Sequence, residues 1–433
     1  MLRNKRCGNP TAVPLFSKRS PVSGLRQTKK QKEVGVKRVE TIGVYPLAPL
    51  PGRQDSLASQ AKTLISGMIT KTRSNAAQSL LQIRRVVLNR LAQTLVHAIL
   101  TRNTKRKPRT YLPSVSKLFK PAEKKSIRIG VTLYRGDDAF INNIRSSLEE
   151  KAKEYEQQTG IKVNLEIMDP KGNQNTQNSQ VDRFLSLEYD AICVNMVDRS
   201  AASYVINKAM DAGTPVVFFN REPVEEDMKR WEHLYYVGED ARESAVLQGE
   251  LLVDAYQENP GSLDLNEDGT VGYVMLEGER SHQDSLIRTE WSVQTMRDGD
   301  IPLEKLTGGS ANWDRSQAAA LMEQWIRQFG DAIEVVICNN DEMALGAAEA
   351  LERAGDTRGV KVVGIDGTPQ GIEGLKSGKL YGTVQCDSDE YAEVIFEIAA
   401  AEALGQNVQE KVELEDGTYY QCSQKALTVA DLP

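Results

Sequence analysis

The chain has 433 residues, 40% hydrophobic and 26% charged, a balance that excludes a fibrous polymer and leaves room for two or three globular domains. Its net charge of −6 conceals two kinds of polypeptide: residues 1–126 hold 27 Lys/Arg against 4 Asp/Glu, and the remainder 27 against 56. No apolar run reaches the ~18 residues of a membrane span, and five cysteines without a CxxC pair indicate neither a zinc site nor a dense disulfide framework.

The front segment, in stretches such as "KRCGNPTAVPLFSKRSPVSG" and "RNTKRKPRTYLPSVSKLFKP", repels itself and offers little apolar surface to bury. It is predicted to be largely disordered. Residues 74–102, "SNAAQSLLQIRRVVLNRLAQTLVHAILTR", place apolar residues at helical spacing and predict one basic amphipathic helix. Two readings of the segment stand: an upstream extension that adds nothing to function, or a contact for nucleic acid or an anionic membrane. The best candidate for an export signal, "VVLNRLAQTLVHAIL", is interrupted by Asn89 and Arg90 and followed by no small-residue cleavage pattern, so no export signal is visible.

From Ile127 the pattern changes. "IRIGVTLY" reads as a strand, "FINNIRSSLEEKAKEYEQQTG" as a helix ending at Gly160, and "KVNLEIMD" as a strand. Helix "SQVDRFLSL", strand "YDAICVNMV", helix "SAASYVINKAMDAG" and strand "PVVFFN" follow. After "YYVGED" a second round begins: helix "ARESAVLQGELLVDAYQ", strand "VGYVMLEG", helices "QDSLIRTEWSVQTM" and "RSQAAALMEQWIRQFG", strand "EVVICNN", helix "EMALGAAEALERAG", and strands "VKVVGID" and "GTVQC". Near-continuous apolar strands alternating with helices predict two similar α/β domains, each a doubly wound parallel sheet covered on both faces. Cys193 and Cys338 lie within apolar strands and are expected to be buried thiols.

Polar residues gather just past the strand ends: Asp137 and Asp138, Asn220, His282 and Asp284, Asn340, and Asp366. The carboxyl edge of such a sheet is where ligands bind, and two facing edges would form a cleft. One loop stands apart. "DLNEDGTVGYVM", Asp264 to Met275, begins as a calcium loop, with Asp, Asn and Asp at positions 1, 3 and 5 and Gly at 6, yet carries Met275 where the closing Glu belongs. From the residues alone it is an abandoned ion site, a chance turn, or a site completed from elsewhere in the chain.

The stretches "RIGVTLYRGDDAF", "PVVFFNREP", "YYVGEDARESAVLQGELL", "DLNEDG", "GERSHQDSLIRT", "NWDRSQA", "IEVVICNNDEMALGAAEAL", "VVGIDGTP" and "LKSGKLYGTV" occur in one order. With them the body, from Ile127 to about Ala430, resembles the periplasmic galactose/glucose-binding proteins, soluble sugar receptors of ATP-driven transporters. The resemblance implies the type 1 periplasmic-binding-protein fold, its two lobes joined by a three-crossover hinge. Residues 127–238 with about 387–415 would form the first lobe, and 239–386 with about 416–433 the second.

Carried over by motif, Phe140 and Trp313 would sandwich the sugar ring, and Asp138 would accept from the 4-hydroxyl. Asn220 and His282 would serve the 6-hydroxyl, Asp284 and Arg288 the anomeric end, and Asn340 and Asp366 the ring hydroxyls between. Where the family places an Asn, this chain has Cys386, a weak donor and poor acceptor, which puts the 2-hydroxyl contact in doubt. The loop's missing carboxylate would be Glu334, completing one structural Ca2+ shell with Asp264, Asn266, Asp268 and the Thr270 carbonyl. Gly272 stands where the family has Gln, so the site should be weaker.

The residue types support a sugar independently. Each hydroxyl both donates and accepts, so acceptor-only carboxylates, a donor-only guanidinium and two-way amides are needed together. The expected ligand is D-galactose or D-glucose, with methyl-galactoside a further candidate; the partners are an ABC transporter permease and, by analogy, a chemoreceptor. The body should act as a monomer outside the cytoplasmic membrane, without nucleic acid.

Two other classes share these residue types. A glycosidase could use Asp138 and Asp284, but Arg288 is expected to keep Asp284 ionised, leaving no raised-pKa acid. A sugar-responsive repressor would share the two-lobe body, but no helix-turn-helix is readable in residues 1–126, and a calcium loop is not expected there.

Overall fold

The computed structural model describes residues 124–432, so the disorder and the 74–102 helix expected of the front segment lie outside the described residues. Three elements illustrate how the sequence forms the first lobe. Strand β1 (Ser126–Thr132) sends Ile127, Ile129 and Val131 to one face at period two. Helix α1 (Ala139–Thr159) starts at Asp138, whose carboxylate accepts the Ile141 N–H, and ends at left-handed Gly160. It buries the stripe Phe140, Ile144, Leu148 and Ala152. Then come β2 (Lys162–Met168), α2 (Gln174–Ser186), β3 (Ala191–Val194), α3 (Ala202–Ala212), β4 (Val216–Phe219), the short α4 (Glu225–Met228) and β5 (Leu234–Gly238).

The second lobe repeats the plan with α5 (Ala241–Glu258), β6 (Val271–Glu277), α6 (Gln283–Asp298), β7 (Leu303–Ser310), α7 (Arg315–Phe329), β8 (Val335–Cys338), α8 (Asp341–Ala354), β9 (Lys361–Val363), α9 (Pro369–Lys376) and β10 (Thr383–Cys386). The chain then returns as α10 (Ser388–Leu404) and β11 (Tyr419–Gln421), and crosses again to β12 (Gln424–Leu427). The first sheet runs β11-β5-β4-β3-β1-β2 and is parallel throughout. The second runs β7-β6-β8-β9, with single bridges from Val363 to Gly382 and from Asp366 to Gln385 leading on to the antiparallel pair β10-β12.

Both sheets are buried on both faces. Along β6, Val274 and Leu276 pack with α7 and α8, while Tyr273 and Met275 pack with α5 and α6. Met275 is therefore a core side chain of a central strand. Cys193 and Cys338 are buried in β3 and β8 as expected, and burial pushes the Cys193 thiol up to about 12.

Two expectations are corrected. The sequence predicts two consecutive helices after β6, whereas β7 lies between them; its "LEKLTGGS" is half exposed at the sheet edge and so carries no apolar run. The second lobe was expected to resume at about residue 416, yet β11 pairs with β5 from Tyr419 to Gln421. The last crossing thus falls between Gln421 and Gln424, and the other two follow Gly238 and Cys386.

Candidate functional site

Loops at the carboxyl ends of the two sheets face each other across a narrow cavity. Nine of the ten residues expected to contact ligand line it: Asp138, Phe140, Asn220, His282, Asp284, Arg288, Trp313, Asn340 and Asp366. The tenth does not. Cys386 is buried at the end of β10 within the core cluster of the first lobe, among Phe140, Val384 and Tyr391, and burial pushes its thiol far up. A small sulfur is more compatible with an apolar core than the amide the resemblance leads one to expect there.

The local folding explains how these side chains are aimed. Asp138, His282 and Asn340 are the N-cap residues of α1, α6 and α8, accepting from the backbone N–H of Ile141, Asp284 and Met343. Each therefore ends a loop and fixes a helix N-terminus at the cleft. Asp138 also accepts from the Tyr134 hydroxyl at 2.6 Å. The capping role does not compete with a binding role, since a carboxylate has several lone-pair sites. Asp314, by contrast, caps α7 through Gln317 and lies outside the cavity lining.

Trp313 is held by two successive left-handed residues, with φ of +53° at Asn312 and +63° at Trp313, an arrangement that costs roughly 1–2 kcal/mol per residue. Its ring lies edge-on to His282 at 5.4 Å and over Gly278, where any Cβ would overlap the indole. Phe140 meets Tyr391 edge to face at 5.5 Å. Asn220, just past β4 at φ +60°, takes an amide hydrogen bond from Asn195 at 3.1 Å.

The electrostatics depart from expectation at Arg288. Its guanidinium pairs with the buried Glu239, donates to the Asn339 carbonyl at 2.7 Å and lies 3.7 Å from Asp366. It is not the partner of Asp284. Burial pushes the Asp284 carboxyl up to about 7, against the opposing pull of Arg221, so the expectation of a firmly ionised group is wrong. Burial raises Asp366 as well, with Arg288 opposing, and holds His282 far below the ordinary imidazole value, aided by Arg221 and Arg199. His282 is thus neutral; its Nδ1 accepts the Asp284 N–H at 3.2 Å, which places the ring proton on Nε2, available to donate.

Sequence reasoning missed Tyr134, Arg221 and Glu239. Arg221 stacks on Tyr134 at 3.7 Å and pairs with Glu279 of the opposite lobe at 2.9 Å, while Gln283 donates to Glu222 across the same gap at 2.9 Å. Arg221 follows Asn220 at the end of β4, a position that could have identified it. Glu239 stands at the first crossing, where nothing in its sequence neighbourhood announces a partner.

The arrangement offers carboxyl acceptors, a guanidinium, amides, an imidazole N–H and two aromatic faces around one small volume. That set recognises a polyhydroxylated ring.

In the loop at Asp264, the oxygens serve the chain itself. Asp264 accepts from Asp268 and Gly269 at 3.1 and 2.9 Å, Asn266 from Asp268 at 2.9 Å, and Asp268 from Thr270 at 2.9 Å. Glu334, fully buried, accepts from Leu265, Asn266 and Gly272 at 2.7, 3.0 and 2.7 Å. It does lie against the loop, as the resemblance requires. Among the described residues no three His, Cys, Asp or Glu side chains are grouped to hold a metal. A Cβ at position 272 would overlap the Ala332 carbonyl oxygen, which explains why no longer side chain stands there.

The comparisons agree with this fold. The family model for the periplasmic binding protein domain matches residues 129–407. The D-galactose/methyl-galactoside binding periplasmic protein of Haemophilus influenzae is 37% identical over 292 residues, 67% of this chain and 86% of that protein. The ribose import binding protein of Bacillus subtilis is 25% identical over 69% of this chain and 89% of its own. An ABC transporter solute binding protein from Bacillus halodurans, solved with bound myo-inositol, superposes with a TM-score of 0.60 at 30% identity, over 72% of this chain and 97% of that one. Among the described residues no helix is long and apolar enough to cross a membrane. The chain belongs to the periplasmic binding protein family, the non-enzymatic substrate-binding components of ABC transporters.

Proposed function

We propose that the cleft binds one hexose, D-galactose or D-glucose, and that the chain delivers it to an ABC transporter permease from outside the cytoplasmic membrane. The observation that carries this reading is the convergence of nine residues from both lobes on one cavity, with Phe140 and Trp313 both in its lining. The ligands named for the relatives, a galactoside, ribose and myo-inositol, are all compact polyols and favour the same class. Methyl-galactoside is a further candidate ligand, and a chemoreceptor a further partner. Bound sugar would stabilise the closed arrangement because its hydroxyls bond to both lobes at once. Because Trp313 lines the cleft, tryptophan emission gives the test. It should change saturably with micromolar galactose or glucose, and an emission unaffected by either sugar at millimolar concentration contradicts the reading.

We also propose that the loop takes one Ca2+, held by Asp264, Asn266, Asp268, the Thr270 carbonyl and Glu334. What supports this is the donor set, oxygen throughout, as a hard cation requires. The ion would brace the second lobe. Calorimetric titration of chelator-treated protein with Ca2+ tests it: no heat of binding at millimolar Ca2+ would leave the loop a plain turn.

A further inference from the structure

The charges that line the cleft do not balance. Asp138, Asp284 and Asp366 face the cavity, and so do the guanidinium groups of Arg221 and Arg288. Both guanidinium groups are already met from outside the lining: Arg288 by the buried Glu239 at the first crossing, and Arg221 by Glu279 at 2.9 Å. Arg135, a further cation near Asp138, pairs with Asp137 at 3.0 Å. Burial keeps His282 neutral. Three carboxyl groups therefore face one cavity without a cation of their own.

Two of the three also lack hydrogen bonds. Asp138 has both oxygens engaged, one by the Ile141 N–H at 3.0 Å and the other by the Tyr134 hydroxyl at 2.6 Å. Asp284 and Asp366 are only 4% and 6% exposed, and neither side chain accepts a hydrogen bond from another residue among the described residues. Asp284 lies 3.6 Å from the neutral His282 ring; Arg221 and Arg199 act on it from beyond ion-pair distance, with Glu222 opposing. Asp366 lies 3.7 Å from Arg288 and faces the carboxyl groups of Asp341, Asp138 and Glu342. Of these, Asp341 accepts from Thr368 and Thr383, and Glu342 lies 3.8 Å from Arg315, so neither brings positive charge to the cavity.

Buried carboxyl groups without donors call for donors in the space they border. A hydroxyl brings one proton and no charge, whereas an ammonium brings three donors and the missing positive charge. We propose that the cleft takes an amino sugar, a hexose with one hydroxyl replaced by an ammonium, in preference to the neutral hexose, with the ammonium seated against Asp284 or Asp366. The proposal rests on the sugar reading of the cleft and narrows its ligand class. The bound cation holds its carboxylate ionised, because an opposite charge in contact favours the charged form. The same surplus of negative charge rejects sugars that carry a carboxylate.

The test is calorimetric titration of the full chain at pH 7, where the amine of an amino sugar is largely protonated. The ligands are glucose, galactose, glucosamine, galactosamine, 3-amino-3-deoxyglucose, 6-amino-6-deoxyglucose and glucuronate. At least one amino sugar should bind about tenfold or more tighter than its parent hexose, and glucuronate at least ~100-fold more weakly than glucose. Asp284→Asn and Asp366→Asn keep the side-chain shape and remove the charge. They are read by the ratio of hexose Kd to amino-sugar Kd, in which a loss common to both ligands cancels. One of the two variants should bring that ratio below about threefold, which identifies the carboxylate that holds the ammonium. Hexose binding with no amino sugar tighter than its parent overturns the proposal alone. So does an unchanged ratio in both variants, or glucuronate bound as tightly as glucose. Failure of every sugar, neutral and charged, overturns the cleft reading beneath it.

Discussion

The cleft and the Asp264 loop are both rich in acidic and amide groups, yet they treat them in opposite ways. In the loop, the side chains of Asp264, Asn266, Asp268 and Glu334 each accept at least one backbone N–H. Around the cleft, Trp313 Nε1, Arg221 Nε, Arg288 Nε and Glu239 Oε2 are buried without partners. Buried polar groups are almost always paired, and leaving one unpaired costs about 1–3 kcal/mol. A region that tolerates several is built for something other than its own stability. The loop is a structural element; the cleft carries unmet bonding capacity and raised carboxyl pKa values, the marks of a ligand site.

Substitutions can break that contrast, and the largest effect is expected at Arg288. Arg288→Ala strands Glu239 as an unpaired buried charge, which should cost about 3–5 kcal/mol of stability in denaturant unfolding. Adding Glu239→Gln should recover much of the loss of stability but none of the sugar affinity. Recovery of both would mean that Arg288 serves the hinge alone.

Trp313→Ala should raise the hexose Kd about 100-fold, or about 2.7 kcal/mol, measured calorimetrically. A loss below threefold would show that the ring packs the lobe without holding sugar. The left-handed backbone at Asn312 and Trp313 suggests otherwise.

A smaller, pH-dependent effect follows from Asp284, whose folded-state pKa near 7 lies well above the ~3.9 of an exposed aspartate. Between those values the unfolded chain has lost this proton and the folded protein has kept it, so stability without ligand falls as pH rises from about 4 to 7. If sugar hydroxyls donate to the ionised form, affinity should rise by up to tenfold per unit toward pH 7 and then level off. Asp284→Asn should flatten the affinity profile and lessen the slope of the stability profile, to which the raised Asp366 and Asp341 also contribute. An unchanged affinity profile in this variant would remove Asp284 from ligand contact.

The smallest effect belongs to the loop. Asp264→Ala removes two backbone contacts and should lower the thermal midpoint by about 2–4 °C, with hexose Kd unchanged within about twofold. A tenfold loss of sugar affinity would dissolve the distinction between the two regions.

Much of this was legible in the sequence because strand ends and helix caps are local features. Asp138, His282 and Asn340 could be placed at a ligand edge since each follows an apolar strand and opens a periodic helix. What depends on distant pairing was not legible. Strand β7 owes its existence to β6 beside it rather than to its own apolar content. Glu239 meets Arg288 only because the first crossing brings the hinge against α6, and so the sequence assigned Arg288 the wrong carboxylate. Cys386 stands where the resemblance implies a ligand residue, yet its side chain joins the core. A motif locates a backbone position, and packing decides which way the side chain faces.

The central claim is that the cleft is a hexose site. Thermal unfolding of the full chain against a panel of hexoses, pentoses and inositols tests it most directly. Galactose or glucose at ~100 times its Kd should add about 2.7 kcal/mol to stability, a rise of several degrees in midpoint, and Trp313→Ala at the same sugar concentration should cut that gain to about 0.4 kcal/mol. A midpoint that no sugar in the panel moves would contradict the account.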